Sequence, residues 1–305
     1  MTRVKNLWAE FAEFWAAAQG KPEEEMTRLW QVLYEGKHPE VFSLYFAPPH
    51  FGRWEHLHPA LTRYTEEFEQ IAEAAGRIQK LVPSLIEAVL TAFDALEDEL
   101  ELEVICFVGV YGTDGFCLPA PDRARAFFAL ECLADYTPDR VSALIAHEIS
   151  HGAHAELNRR KNPKISDWDL VNLDRIFPWI AGALFREGLA VAASRRAVPG
   201  LAEHEYLFYS PDQWEWCCEN AAELAARLLE KLDRRDWNTF AEFFAGGAPL
   251  EWPPYPRTGY YIGDRAIERL LSKATLRELA ELEFREISQL IRGSLEEIQD
   301  GVDQT

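Results

Sequence analysis

The chain has 305 residues and a formal net charge of −20, with 48% hydrophobic and 12% aromatic residues. So acidic a chain excludes nucleic acid and anionic membranes as partners held by general electrostatics. The apolar content suffices for a sizeable core, and the length fits one compact unit with a helical extension at its N-terminus.

Trp8, Phe11, Phe14 and Trp15 recur at helical spacing, so Met1 to Gly20 is expected as an amphipathic helix rather than a signal peptide. Pro22-Glu23-Glu24-Glu25 opens a second helix with acid in its first turn. His38 to Pro59 carries four His and four Pro. The spacing of His50, His56 and His58 fits no common zinc pattern, so this stretch reads as an aromatic, Pro-rich loop packed on the domain. Residues 61–100 read as two helices broken near Pro83. Residues 1–100 thus form a helical N-terminal region.

The pattern then changes. Leu102 to Val110 reads as a buried strand, Tyr111 to Gly115 as turn, Phe116 to Leu118 as a short second strand and Ala126 to Leu133 as a third. From Pro138 onward the chain is mostly helical, with a Pro/Gly-rich passage from Gly246 to Gly259. No run of about 18 apolar residues occurs, so no membrane span is expected. Cys106, Cys117, Cys132, Cys217 and Cys218 show no paired ladder and no C-x-x-C. Their odd number predicts reduced thiols in the cytoplasm, with the adjacent Cys217 and Cys218 as buried thiols.

His147-Glu148-Ile149-Ser150-His151 is an HExxH segment. Thr137 suits an N-cap, Pro138 the first helical position and Asp139 the first turn, and Arg159-Arg160-Lys161 suits the C-terminal end. A helix from Pro138 to about Asn158 follows. On it His147 and His151 share one face a turn apart, where both imidazoles can reach one zinc ion. Glu148 can then reach water at that metal and take its proton.

A catalytic zinc usually has three protein ligands. The extended HExxHxxGxxH pattern fails, because Leu157 stands where the third His belongs. His154 lies about 10.5 Å along the helix axis from His147, so it reads as a residue packing beside the site. The third route is Glu187, a carboxylate in the apolar, small-residue helix Trp179 to Ala197. Such a group needs a partner if buried. A metal is one candidate, and a salt bridge to Arg186 or Arg195 is the other. Gly188, Ala190 and Ala192 would let this helix approach the His helix closely.

His147-Glu148-x-x-His151 followed by Glu187-Gly188-Leu189-Ala190 resembles the gluzincin metallopeptidases. It is most similar to a bacterial group of predicted zinc-dependent proteases, with Gly259-Tyr260-Tyr261-Ile262-Gly263 as a further shared segment. The resemblance covers about residues 100–285. It implies an α+β, predominantly helical fold, with a zincin-like catalytic domain at 101–305 whose small mixed β-sheet packs on the HExxH helix and on which residues 1–100 pack. It further implies Zn2+ held by His147, His151 and Glu187, Glu148 as general base, and Tyr260 as donor to the developing oxyanion. Tyr261 and then His204 are the alternatives for that donor, and aromatic packing the other reading of Tyr260. By the same analogy, residues 125–133 would pair with an extended peptide as an edge strand, with Pro119 and Pro121 keeping neighbouring backbone from pairing. The interval from His151 to Glu187 is longer than in thermolysin-like enzymes, so residues 159–178 should form an insertion. Val191 replaces the Asp that orients a zinc-bound His there, so that partner must come from elsewhere. No G-x-M-x-N segment appears, and amino-terminal specificity has no support.

The function expected is a cytoplasmic zinc metallopeptidase acting on a peptide or small protein. The competing functions are a non-catalytic zincin-fold binding protein and a zinc hydrolase of a non-peptide amide or ester. The intact quartet of His147, Glu148, His151 and Glu187 disfavours the first of these.

Overall fold

The computed structural model describes residues 2–47, 52–118, 123–162, 179–245 and 252–301. His50, Pro119 and Pro121, most of the expected insertion at 159–178 and the first part of the Gly246–Gly259 passage lie outside them.

The fold is α+β and predominantly helical. Among the described residues a four-stranded sheet comprises β1 (Arg3–Asn6), β2 (Leu102–Phe107), β3 (Gly115–Leu118) and β4 (Ala124–Ala129). The spatial order is β1-β2-β4-β3, with the first three parallel and β3 antiparallel to β4. β2 and β4 are buried along nearly their whole lengths, as their unbroken apolar runs require.

Four expectations change here. The N-terminus is not helical throughout, because Arg3–Asn6 is a strand and the helix is Trp8–Ala18. Four residues are too few to show a period, and the partner strand is far away in sequence. Residues 61–100 hold one long helix, Leu57–Ala92, running through Pro83. Pro83 and Gln79, whose carbonyl loses its donor, both lie on the exposed face. There water can replace the missing bond, while Ile78, Val82, Leu85 and Val89 keep a continuous buried stripe. The third expected strand stops at Ala129, and Leu130–Leu133 turns into helix. Cys217 is buried but Cys218 is exposed, since adjacent helical residues point about 100° apart.

The aromatic N-terminal residues interlock. Phe11 alone contacts Trp15, Trp30, Tyr34, Tyr64 and Phe68. This cluster also presents hydroxyls to the loop that leaves β2. Tyr34 accepts from the Val108 N–H at 2.8 Å, and Tyr45 accepts from Val110 at 3.0 Å and Gly112 at 3.1 Å. Tyr64 donates to the Gly109 carbonyl. The buried Glu131 accepts from Gly109 at 2.8 Å and Tyr111 at 3.1 Å. The loop therefore has a fixed course into Asp114 and β3.

The HExxH helix runs Pro138–Lys161. Thr137 caps it, accepting from the Arg140 N–H at 3.3 Å. Its last turn extends past Asn158 because Asn158 Nδ2 is anchored on the Ala280 and Leu282 carbonyls at 3.3 and 2.7 Å. The helix lies on the sheet. A Cβ at Gly152 would come within 2.5 Å of Leu102 Cδ1, so glycine permits this approach. The buried Glu156 also binds the Ala124 N–H at 2.7 Å, pinning the start of β4 to the helix.

Candidate metal centre

His147 and His151 stand one turn apart with ring planes at 87°. Their Nε2 atoms are 3.1 Å apart, and Glu187 Oε2 lies 3.3 Å from each. Glu187 arrives on the helix Ile180–Ala197, which follows Trp179. A tetrahedral zinc ion with bonds of about 2.0–2.1 Å has neighbouring ligand atoms about 3.3 Å apart. The three donors thus span one face of such a tetrahedron, and two imidazoles with a carboxylate are a donor set zinc accepts. The residues present fit the metal.

Among the described residues Glu187 forms no ion pair with Arg186 or Arg195. Arg195 binds Asp264 through two bonds of 3.1 and 2.8 Å and also reaches Glu203 and Glu268. Glu187 faces the two imidazoles instead. Burial acts to raise its pKa, but His151 and His147 outweigh burial and hold it well below the usual carboxylate range. Burial lowers His147. Burial acts to lower His151 too, but Glu187 reverses the balance and raises it. The point where the three donors meet therefore attracts positive charge. A second acidic group, Glu203, Asp264 and Glu268, could also hold an ion by spacing, but Arg195 and Arg265 already neutralise it.

Glu148 is buried, and burial pushes its carboxyl up to about 7. A Cβ at Gly115 would lie 3.2 Å from Glu148 Cγ, so β3 passes directly beside this carboxyl. Asp114, just before it, accepts from the Tyr136 hydroxyl at 2.8 Å.

The expected edge strand is corrected. β4 pairs on both sides, with β2 and with β3, so residues 125–129 have no free edge. Among the described residues the edge strand beside the site is β3. Its sequence is short and gave no sign of its position, because strand order is set by tertiary pairing.

Tyr260 and Tyr261 lie on the helix Thr258–Leu271 and part company there. Tyr260 stacks towards His147, with ring centroids 6.3 Å apart and planes at 29°. Burial, then Glu187, raises its phenol above the usual range, so it stays protonated and able to donate. Tyr261 packs on Trp214 at 5.3 Å, on the other side of the helix. His204 forms no hydrogen bond, ion pair or ring contact with these residues among those described; Phe208, nearby in sequence, faces His147 at 6.3 Å. His154 is buried against Phe185 at 5.6 Å, its pKa pushed down to about 3 by burial and by Arg186. It packs beside the site and stays outside the ligand triangle. His147 Nδ1 is buried with no hydrogen-bond partner among the described residues, so the orienting group missing at Val191 is not replaced there.

Gly188 plays a different part from the one expected. A Cβ on it would meet Gly263 O at 2.1 Å, on the Tyr260 helix. A Cβ on Gly263 would meet Leu184 O at 2.5 Å. The Glu187 helix thus touches the Tyr260 helix backbone to backbone, and the Arg195–Asp264 pair ties the same two helices one step further on. Sequence reading also passed over Arg257. Its guanidinium lies 4.3 Å from the Tyr260 ring centroid. A single Arg after a Pro-rich passage carries no spacing signal.

Comparison with protein-family models, with curated proteins and with solved structures finds no match. Among the described residues no helix is long and apolar enough to cross a membrane.

Proposed function

We propose that this chain is a zinc-dependent hydrolase of the gluzincin type, a metallopeptidase holding zinc through His147, His151 and Glu187. The observation that carries the reading is the donor triangle, with edges of 3.1, 3.3 and 3.3 Å. Zinc bound there would act as a Lewis acid and activate water at neutral pH. Glu148, with its carboxyl near neutrality, takes the proton of the attacking water and delivers it to the leaving amine. Tyr260 donates a hydrogen bond to the oxyanion that forms on the substrate carbonyl. Tyr260 is neutral as it does so, which keeps a further anionic group out of a site that already holds two carboxyl groups.

A peptide is favoured over other amides or esters by the edge strand. β3 ends the strand order among the described residues and passes beside Glu148, so an extended peptide can add to it as a further strand, exchanging the bonds that Gly115 makes with Asp114 and Thr113. The five unpaired cysteines support a reducing, cytoplasmic setting.

Elemental analysis of purified wild type and Glu187→Ala together tests the centre. About one zinc per chain in wild type and a sharp loss in the variant are expected. Zinc retained in both would send the third ligand elsewhere. Wild type that takes up no zinc when it is supplied refutes the reading.

A further inference from the structure

Arg257 is held in an unusual backbone state. It is one of four described non-glycine residues at positive φ, at 62°, and Phe208, which faces His147, is another, at 59°. Such a conformation costs roughly 1 kcal/mol or more and persists only where surrounding contacts fix it. Those contacts are present. The Tyr209 hydroxyl and the Tyr260 N–H both donate to the Arg257 carbonyl, and Gln213 Nε2 donates to the preceding carbonyl, Pro256 O, at 2.7 Å. The clamp acts on the backbone, and the side chain lies over the Tyr260 ring.

The guanidinium stacks against Tyr260 and forms no ion pair among the described residues. Arg195, Arg265 and Arg277, by contrast, each hold at least two carboxylates. Asp114 and Glu187 act on Arg257 only through space. Burial works against its charge, but the neighbouring tyrosines and these two acids outweigh burial, so the guanidinium stays charged with no carboxylate in direct contact, and that contact is left to a ligand. From guanidinium to Tyr260 ring is 4.3 Å and from that ring to the His147 ring 6.3 Å. The guanidinium therefore lies at most about 11 Å from His147, the span of about three extended residues.

We propose that Arg257 is a specificity-determining residue that binds a substrate carboxylate within about three residues of the scissile bond. The assignment rests on the peptidase reading. The planar guanidinium matches a carboxylate with two parallel N–H donors. Two sources share this chemistry: the C-terminal α-carboxylate and an Asp or Glu side chain.

The test uses Glu148→Gln protein, zinc-supplied, to stop turnover, and measures binding by calorimetry. The probes are acetyl-Ala-Ala-Ala with a free carboxylate, the same peptide as its carboxamide, and acetyl-Ala-Asp-Ala carboxamide. At least one acid should bind about tenfold or more tighter than the neutral carboxamide. A second substitution, Arg257→Gln, should collapse that ratio towards one, and Arg257→Lys should keep part of it. Preference for the first probe assigns the α-carboxylate, and preference for the third the side chain. Equal binding of acids and carboxamide, no binding of any probe at millimolar concentration, or a preference that survives Arg257→Gln overturns the proposal. Zinc content and thermal melting are read on the same samples. A preference lost with zinc and fold intact implicates Arg257, whereas a sample that takes up no zinc counts against the peptidase reading instead.

Discussion

Gly188→Ala puts the helix crossing behind the proposed metal centre under load. The new Cβ would sit 2.1 Å from Gly263 O, 2.4 Å from Gly263 C and 2.8 Å from Ile267 Cγ1. Carbon and oxygen approach to about 3.3 Å at closest, so the two helices must part by roughly 1.2 Å. Neither obstacle at Gly263 is a side chain that can swing away; both are backbone. Overpacking of this kind costs about 1–3 kcal/mol, and a backbone clash belongs at the upper end. Glu187 is the adjacent residue, so the same shift moves its carboxylate against two histidines fixed on another helix. Ligand edges now at 3.3 Å would open towards about 4 Å, away from the tetrahedral spacing of about 3.3 Å, and zinc affinity should fall about 10–100-fold. Urea denaturation of zinc-free protein measures the first effect, and zinc titration against a competing chelator the second. Gly76→Ala on the long helix is the control, because a Cβ there meets nothing within 4 Å. That variant should gain roughly 0.5–1 kcal/mol. Gly188→Ala with stability within about 0.5 kcal/mol of wild type and unchanged zinc affinity would refute the reasoning.

Glu148→Gln should keep its zinc and lose at least about a hundredfold in turnover, measured by elemental analysis beside a peptide-library assay; full activity would remove Glu148 from the mechanism. Tyr260→Phe should lower kcat by about 10²–10³ with zinc content unchanged, and an unchanged kcat would leave Tyr260 with packing alone. Glu131 gives a pH prediction. Burial pushes its carboxyl up to about 7 despite the N–H groups of Gly109 and Tyr111, so between the unfolded value of about 4.3 and about 7 the folded protein holds a proton that the unfolded chain has released. That contribution is complete below the unfolded value and is lost as pH rises through about 7. Wild type should therefore lose urea resistance across this window, and Glu131→Gln should lose less; parallel pH profiles for the two would contradict the assignment.

The parts of the site that were legible in the sequence are those whose signal is local. Thr137, Pro138 and the basic end framed the His helix, and its spacing alone put His147 and His151 on one face. Glu187 stood out as a lone carboxylate in an apolar helix. Its partner stayed open between metal and arginine; in the structure Arg195 binds Asp264 and Glu187 faces the two imidazoles. What sequence did not reveal depends on meetings between distant segments. Gly188 showed that some backbone would come close, but whether that backbone was His151's helix or Gly263's is a tertiary fact. The order of β3 and β4, and hence which strand has the open edge, is fixed by pairing and not by composition. Pro83 misled because proline's cost depends on whether water reaches the freed carbonyl. Arg257 depends on a backbone clamp from Tyr209 and Gln213, which nothing near it in sequence announces.

The pairing of Arg3 with Glu103 bears on how the molecule is made. At about 5–20 residues per second of synthesis, β1 exists for roughly 5–20 s before its partner strand leaves the ribosome. Closing so long a loop adds little to the equilibrium cost, because that cost grows only with the logarithm of length, but it delays completion of the sheet. Through that interval a strand with unpaired N–H and C=O groups is open to other nascent chains. Arg3 and Lys5, flanking its one apolar residue, Val4, give that edge the like charge that discourages such pairing.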